Sequence, residues 1–261
     1  MSLVFSSICP HPPIIIPTIG QENLPLVKKT IESMEKLEKK FFEAKPEITI
    51  IISPHGVIYA DAFSINFSES YAGNFRQFGD FVTNLKFNPD LEFLHHIKER
   101  LENKLPVVLV REENLDHGSL VPLYYLMKNI QTKIVPIGYS FLDYKTHLEF
   151  GRILKEEISL SKKKIAVIAS GDLSHCLTPE APGGYSPRAG IFDKRLIEFL
   201  KKKDIKGILE MDKSLIEEAG ECGLRSFLIL LGILEKIKVK PELYSYEAPF
   251  GVGYLVMNFK L

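Results

Sequence analysis

Short apolar runs recur along the chain, separated by stretches of mixed polarity with a helical period. Residues 3–8, 48–52 and 165–169 are almost unbroken in apolar or small side chains and rich in β-branched ones, the pattern of strands covered on both faces. Ile48-Thr49-Ile50-Ile51-Ile52 is too apolar for a sheet edge and is expected near the centre of the sheet. Residues 62–67 alternate like a half-buried strand, and 107–110, 134–139, 243–246 and 251–259 supply further strands. Helical periodicity covers 24–44, then 92–103 behind the opening Asn88-Pro89-Asp90, and then 120–130, 144–159 and 191–203. Shorter helices are expected near 204–211 and 213–219, and an apolar one at 224–234. Residues 68–81 read as a loop bordering a pocket, and 178–190, with three prolines and three glycines, as a long loop suited to a lid or pocket wall. The β/α alternation predicts a layered α/β fold: a three-layer α/β/α arrangement with a central, mostly buried mixed β-sheet, in a single domain over residues 1–261.

Charge narrows the range of partners. The 33 basic and 33 acidic residues cancel, so no net field favours nucleic acid or an anionic membrane, and a small molecule is the expected ligand. No apolar stretch approaches the roughly 20 residues of a membrane span, and the amino terminus lacks a secretion signal, so a cytoplasmic protein is expected. Cys9, Cys176 and Cys222 are widely spaced and form no C-x-x-C pair, which argues against a disulfide framework, a zinc knot or an iron–sulfur cluster.

Four histidines carry the candidate chemistry. His11, in Pro10-His11-Pro12-Pro13, His55, in Ser53-Pro54-His55-Gly56, and His175, in Gly171-Asp172-Leu173-Ser174-His175, each follow a predicted strand, where open α/β sheets collect their ligands. His117 follows a polar loop in Asp116-His117-Gly118. Two imidazoles and a carboxylate hold a divalent first-row metal with positions left open, and His11 and His55, each beside a proline that stiffens the backbone, are the two imidazoles. Asp172 could orient one ring nitrogen of His175 and make the other a general base. His117 is read as a residue that contacts substrate or supports the centre. Glu221 or Cys222, in Ala219-Gly220-Glu221-Cys222-Gly223 before the apolar helix, could complete the donor set, with Glu247 as a rival. Arg188 could bind a substrate carboxylate, whereas His95, His96 and His147 are expected on solvated helix faces.

The ordered set Cys9-Pro10-His11-Pro12-Pro13, Ser53-Pro54-His55-Gly56, Leu115-Asp116-His117-Gly118-Ser119-Leu120-Val121-Pro122-Leu123, Ser170-Gly171-Asp172-Leu173-Ser174-His175 and Pro187-Arg188-Ala189-Gly190 resembles the LigB-type class III extradiol ring-cleavage dioxygenases over nearly the whole chain. The resemblance implies that His11 and His55 bind Fe(II), that His175 is the catalytic base, and that His117 is the second active-site histidine. It puts the family's glutamate early in the helix near 220–234, with Glu221 the first choice. The related Memo proteins use a cysteine in a Glu-x-Cys-Gly context, which makes Cys222 the competitor. A carboxylate would suit Fe(II), and a thiolate would favour zinc or copper. The implied function is opening of a catechol-type ring with O2. A Memo-like metal-binding redox or regulatory protein without that activity and a zinc-dependent hydrolase are the alternatives. The implied partners are an aromatic diol and O2, with a homo-oligomer and a small companion subunit left open.

Overall fold

Ile48, Ile50 and Ile52 point to one side of the strand they form, Ile51 points to the other, and all four are fully buried, so this strand needs an apolar layer on each face. At roughly 1.5–3 kcal/mol for each such side chain removed from water, that demand organises the surrounding helices. The computed structural model describes residues 2–261. Its elements in chain order are β1 (Leu3–Cys9), α1 (Pro17–Gly20), α2 (Lys28–Ala44), β2 (Ile48–Ser53), β3 (Phe63–Asn66), β4 (Tyr71–Phe75), β5 (Asp80–Phe87) and α3 (Leu91–Leu101). They continue with β6 (Val107–Val110), α4 (His117–Leu126), β7 (Lys133–Gly138), α5 (Tyr144–Leu160), β8 (Ile165–Ser170) and α6 (Ala189–Lys202). The last are α7 (Ile205–Leu209), α8 (Lys213–Ala219), α9 (Leu224–Ile233), β9 (Lys240–Glu247) and β10 (Tyr254–Lys260).

One mixed sheet runs in the order β6-β3-β7-β2-β8-β1-β10-β9. The four central strands β7, β2, β8 and β1 are parallel, in the registers Ile52 to Ile137, Ile52 to Ala169 and Ile8 to Ala169, and their carboxyl ends therefore share one edge. Outside this core, β3 runs antiparallel to β7, and β10 antiparallel to β1. Helices α2 and α4 cover one face, packing Met34, Leu37, Phe41 and Leu126 with Phe5, Ile51 and Ile168. Helices α3, α5, α6, α8 and α9 cover the other. This is the expected three-layer α/β/α architecture with its central strands buried.

Two local expectations need correction. Residues 68–81 are not a loop throughout: 71–75 form β4, which pairs antiparallel with β5 as a separate two-stranded sheet that periodicity did not reveal. Helix α4 begins at His117 rather than at 120, because Asp116 caps it by accepting the Ser119 N–H at 3.0 Å and the Ser119 hydroxyl at 2.9 Å. Asp90 and Asp143 cap α3 and α5 in the same way.

Candidate metal centre

The carboxyl ends of three adjacent central strands build one side of the centre. His11 stands two residues beyond β1, His55 two beyond β2, and Ser170 closes β8. Cys222 arrives from the other side, on the short segment before α9. Its approach depends on contact between backbones: a Cβ on Gly171 would lie 2.2 Å from the Gly223 Cα, so a side chain at 171 would push the segment before α9 away from the end of β8. On the opposite flank, a Cβ on Gly118 would fall 2.5 Å from Ser53 Oγ and 3.2 Å from the His55 ring. Glycine there lets α4 close down on His55.

The hydrogen bonds of His11 fix which nitrogen is free. Its Nδ1 lies 2.9 Å from Ser170 Oγ, and that hydroxyl donates to the Gly118 carbonyl. The hydroxyl proton is thereby committed, so Ser170 accepts from His11 Nδ1–H and leaves the lone pair on Nε2. Nε2 faces His55 Nε2 at 3.0 Å and Cys222 Sγ at 3.6 Å, and the three donor atoms all lie within 4.8 Å of one another. Two neutral nitrogens and a sulfur at these separations suit a transition-metal ion bound at about 2.0–2.3 Å from each.

Electrostatics agree with a site built for a cation. Burial, then the neighbouring His55, His117 and His175, holds His11 well below the usual imidazole range. Burial with His117 alongside lowers His55 to about 4 despite the nearby Asp116. Both rings are neutral near pH 7, the form that ligates. Burial, reinforced by Asp172, pushes the Cys222 thiol well above its ordinary range, so without a cation the sulfur stays protonated. The Asp172 carboxyl is raised by burial to about 7, opposed by the His11 N–H that it accepts at 3.1 Å.

His117 stacks on His55 with ring centroids 4.4 Å apart and a 23° interplanar angle, and Phe78 meets it edge to face at 5.3 Å. Adjacent Asp116 turns away to cap α4 and to accept from Ser53 Oγ, which in turn accepts the His55 N–H at 3.2 Å. His175 sits close enough to His11 to lower its affinity for protons, and burial, with His55 nearby, lowers that of His175 itself. The expected partnership between Asp172 and His175 is not found. His175 Nδ1 lies 3.0 Å from the Leu173 carbonyl, whereas Asp172 points at His11, with Oδ2 3.7 Å from Nε2. The Leu173 carbonyl favours a protonated Nδ1 in His175, and the Gly220 carbonyl is a second main-chain partner of the ring.

Glu221 and Cys222 part company at the start of α9. Successive residues there point in different directions, and Glu221 accepts the Leu224 N–H at 2.6 Å, capping the helix, while Cys222 joins the histidines. Glu247 is occupied elsewhere, accepting the Thr30 N–H and hydroxyl at 2.7 and 2.6 Å near the start of α2. Arg188 forms exposed ion pairs with Asp212 and Glu218, so no free guanidinium is offered there. His95 and His96 are exposed as expected, but His147 is fully buried.

A cavity of about 590 Å³ opens beside the centre, lined by Ser53, His55, Asn66, Gln77, Glu112 and His117 among others, with Val57, Val110 and Ile137 as apolar wall. Its volume suits one small aromatic ligand. Gln77 comes from the region expected to border a pocket. The 178–190 loop instead packs behind His175, where Gly183 donates to the His175 carbonyl at 2.9 Å. Sequence reasoning missed Ser170 as the partner of His11, because nothing local to Ser170 signals a histidine 159 residues away.

The model of the family described as "Catalytic LigB subunit of aromatic ring-opening dioxygenase" matches residues 6–257. A Clostridium acetobutylicum protein is 34% identical over 271 residues, which takes in 100% of this chain and 58% of that protein, so this chain spans little more than half of that relative's length. The 2-aminophenol 1,6-dioxygenase beta subunit of a Pseudomonas species is 23% identical, covering 99% of this chain and 94% of its own. A MEMO1 family protein of Methanosarcina mazei is 30% identical over 47% of this chain and 43% of its own. Among solved structures, an uncharacterized Escherichia coli K12 protein superposes with a TM-score of 0.65 at 16% identity, covering 98% of this chain and 99% of that one, a likeness of fold.

Proposed function

Because this chain belongs to the LigB family of catalytic subunits of aromatic ring-opening dioxygenases, we propose that it is a metal-dependent oxidoreductase acting with O2 on a planar aromatic diol bound in the cavity beside His55 and His117. The observation that carries this reading is the convergence of His11 Nε2, His55 Nε2 and Cys222 Sγ, with His55 also lining the cavity. These three residues would hold the metal. A divalent ion there supplies the Lewis acidity that eases ionisation of a coordinated phenol and, where it is iron, the redox chemistry with O2.

The protein's own residues supply orientation and proton transfer. Ser170 holds the His11 ring in the tautomer that presents Nε2. Ser53, braced by Asp116, fixes the backbone at His55. His175 Nε2 accepts the diol proton, since its Nδ1–H is committed to the Leu173 carbonyl and burial keeps the ring neutral near pH 7. His117, held by ring contacts with His55 and Phe78, donates to or accepts from the substrate oxygen at the cavity wall. Phe78 and the apolar wall restrict water.

One observation favours a second reading. Sulfur in the place of a carboxylate departs from the two-histidine, one-carboxylate set of Fe(II) oxygenases and suits zinc or copper, as in a Memo-like redox or regulatory protein. Reconstitution with Fe(II), Zn(II) or copper under anaerobic conditions, followed by oxygen uptake and ring-fission absorbance across a catechol panel, separates the two. Oxygen consumption with Fe(II) that disappears in His175→Ala supports ring opening. Tight copper or zinc binding that needs Cys222, with no turnover of any diol, supports the second reading. Hydrolytic turnover that persists without oxygen would overturn both.

A further inference from the structure

Asp193, on α6, is 1% exposed and meets no cation among the described residues, unlike the equally buried Asp90, which binds Lys163 at 2.9 Å. Each of its oxygens is taken by one donor instead: Oδ1 accepts the Ser174 N–H at 2.9 Å, and Oδ2 accepts the Tyr246 hydroxyl at 2.5 Å. Burial raises the carboxyl to about 6, and the two hydrogen bonds oppose the rise. Above that pH both bonds are charge-assisted, the stronger kind. A carboxylate withdrawn from water is costly, and the two donors it meets here offset that cost only while both stay in place.

Ser174, directly before His175, is fully buried, and each of its polar groups is bonded. Its N–H goes to Asp193, its carbonyl accepts the Gly253 N–H at 2.9 Å, and its hydroxyl donates to the Ala219 carbonyl at 2.9 Å while accepting the Cys176 N–H at 3.1 Å. The His175 N–H donates to the same Ala219 carbonyl at 2.9 Å. Two main-chain carbonyls meet the His175 ring, those of Leu173 and Gly220. Leu173 and Gly220 adjoin Ser174 and Ala219 in sequence, so the bond between Ser174 and Ala219 sets the spacing of the two carbonyls that orient the ring. Asp193 in turn sets Ser174. There is no slack behind the carboxylate, because a Cβ on Gly253 would lie 2.4 Å from Asp193 Oδ2.

We propose that Asp193, braced by Tyr246, is a positioning residue for His175: acting through Ser174, it fixes the two main-chain carbonyls that set the direction of the imidazole. That His175 serves as a base rests on the ring-opening reading, but its positioning by Asp193 does not. The metal-free full-length protein, labelled with 15N at histidine, gives ring-nitrogen signals by NMR at pH 7.5, with His175 identified by its loss in His175→Gln and the buried His147 as internal reference. Wild type is expected to show a single set of signals for His175. Asp193→Ala should shift or broaden them and leave those of His147 in place. Asp193→Asn, which keeps an acceptor for the Ser174 N–H, should return them toward wild type. With the Fe(II)-loaded protein and a diol that wild type turns over, Asp193→Ala should lower kcat about 10–100-fold while KM stays within about threefold, as a displaced base in an intact cavity requires.

Unchanged His175 signals in folded Asp193→Ala, or signals of His175 and His147 that change together, would overturn the assignment. Where melting curves show that Asp193→Ala does not fold, Tyr246→Phe, which removes one hydroxyl from a partly exposed ring, decides instead: a change confined to His175 supports the assignment, and no change overturns it. The outcome is separable from catalysis. A His175 response in a protein that opens no ring keeps the positioning and loses the ring-opening reading. Ring opening by wild type and Asp193→Ala alike, with the His175 signals unmoved, does the reverse.

Discussion

Two fully or almost fully buried histidines, one after β1 and one in α5, show what distinguishes a ligand from a strut. His147, in the first turn of α5, is 0% exposed, and the main chain meets both of its nitrogens: Nδ1 lies 2.8 Å from the Asp143 carbonyl, and Nε2 is within 3.0 Å of the Ser140 carbonyl and 3.4 Å of the Ser140 amide. His11, 2% exposed, also has one nitrogen satisfied, by Ser170, but its other nitrogen faces only groups that themselves bind metals. Burial is the same in both regions. The difference lies in what the second nitrogen meets, and that is a property of the fold, because the partners of His147 lie within seven residues and those of His11 up to 211 residues away.

Breaking the two sites should therefore damage different properties. His11→Ala is expected to reduce metal affinity more than about 100-fold, read as metal content after equilibrium dialysis, with little change in metal-free stability. His147→Ala should do the opposite, lowering stability by about 2–4 kcal/mol in urea unfolding while metal content per folded molecule is unchanged. Equal metal loss in both variants would erase the distinction.

pH sharpens the same comparison. Burial lowers His147 from 6.5 to about 4, so between those values the unfolded chain takes up a proton that the folded one refuses. Stability from this residue is fully present above pH 6.5 and falls as the pH drops toward 4, by about 3 kcal/mol. The stability gap between wild type and His147→Ala should be widest above pH 6.5 and close on acidification. A gap that widens in acid would contradict the assignment of His147 as a neutral strut.

Smaller effects test the supporting residues. Ser170→Ala frees the His11 ring to take the other tautomer, and a loss of about 10–100-fold in metal affinity without loss of fold is expected. Glu221→Gln keeps an acceptor for the Leu224 N–H, and metal content should stay within about threefold of wild type. If Glu221→Gln instead loses the metal as Cys222→Ala does, the carboxylate is the donor.

The sequence exposed the parts of this molecule that depend on neighbours along the chain. Ile48 to Ile52 could be assigned to the sheet centre because a continuous β-branched run has few other places to go, and His11, His55 and His175 could be assigned to strand ends because each follows such a run. The β4–β5 hairpin escaped because Tyr71 to Phe87 mixes glycine, polar and exposed apolar residues, Phe81 and Val82 among them, without a sustained period of two. The choice between Glu221 and Cys222 was not local either. Both residues lie on the short segment before α9, and which one faces the histidines depends on how that segment packs against the end of β8, where Gly171 meets Gly223. His147 is buried although α5 is amphipathic and charged, and nothing in its own turn reveals that Phe63 and Tyr139 pack around it.

Metal-edge X-ray absorption on the reconstituted protein tests the centre most directly, because sulfur and nitrogen or oxygen neighbours are distinguished by their scattering. Coordination by His11, His55 and Cys222 predicts imidazole scattering together with one sulfur at about 2.3 Å, absent in Cys222→Ser. A wild-type spectrum with only nitrogen and oxygen neighbours, unchanged in that variant, would contradict it.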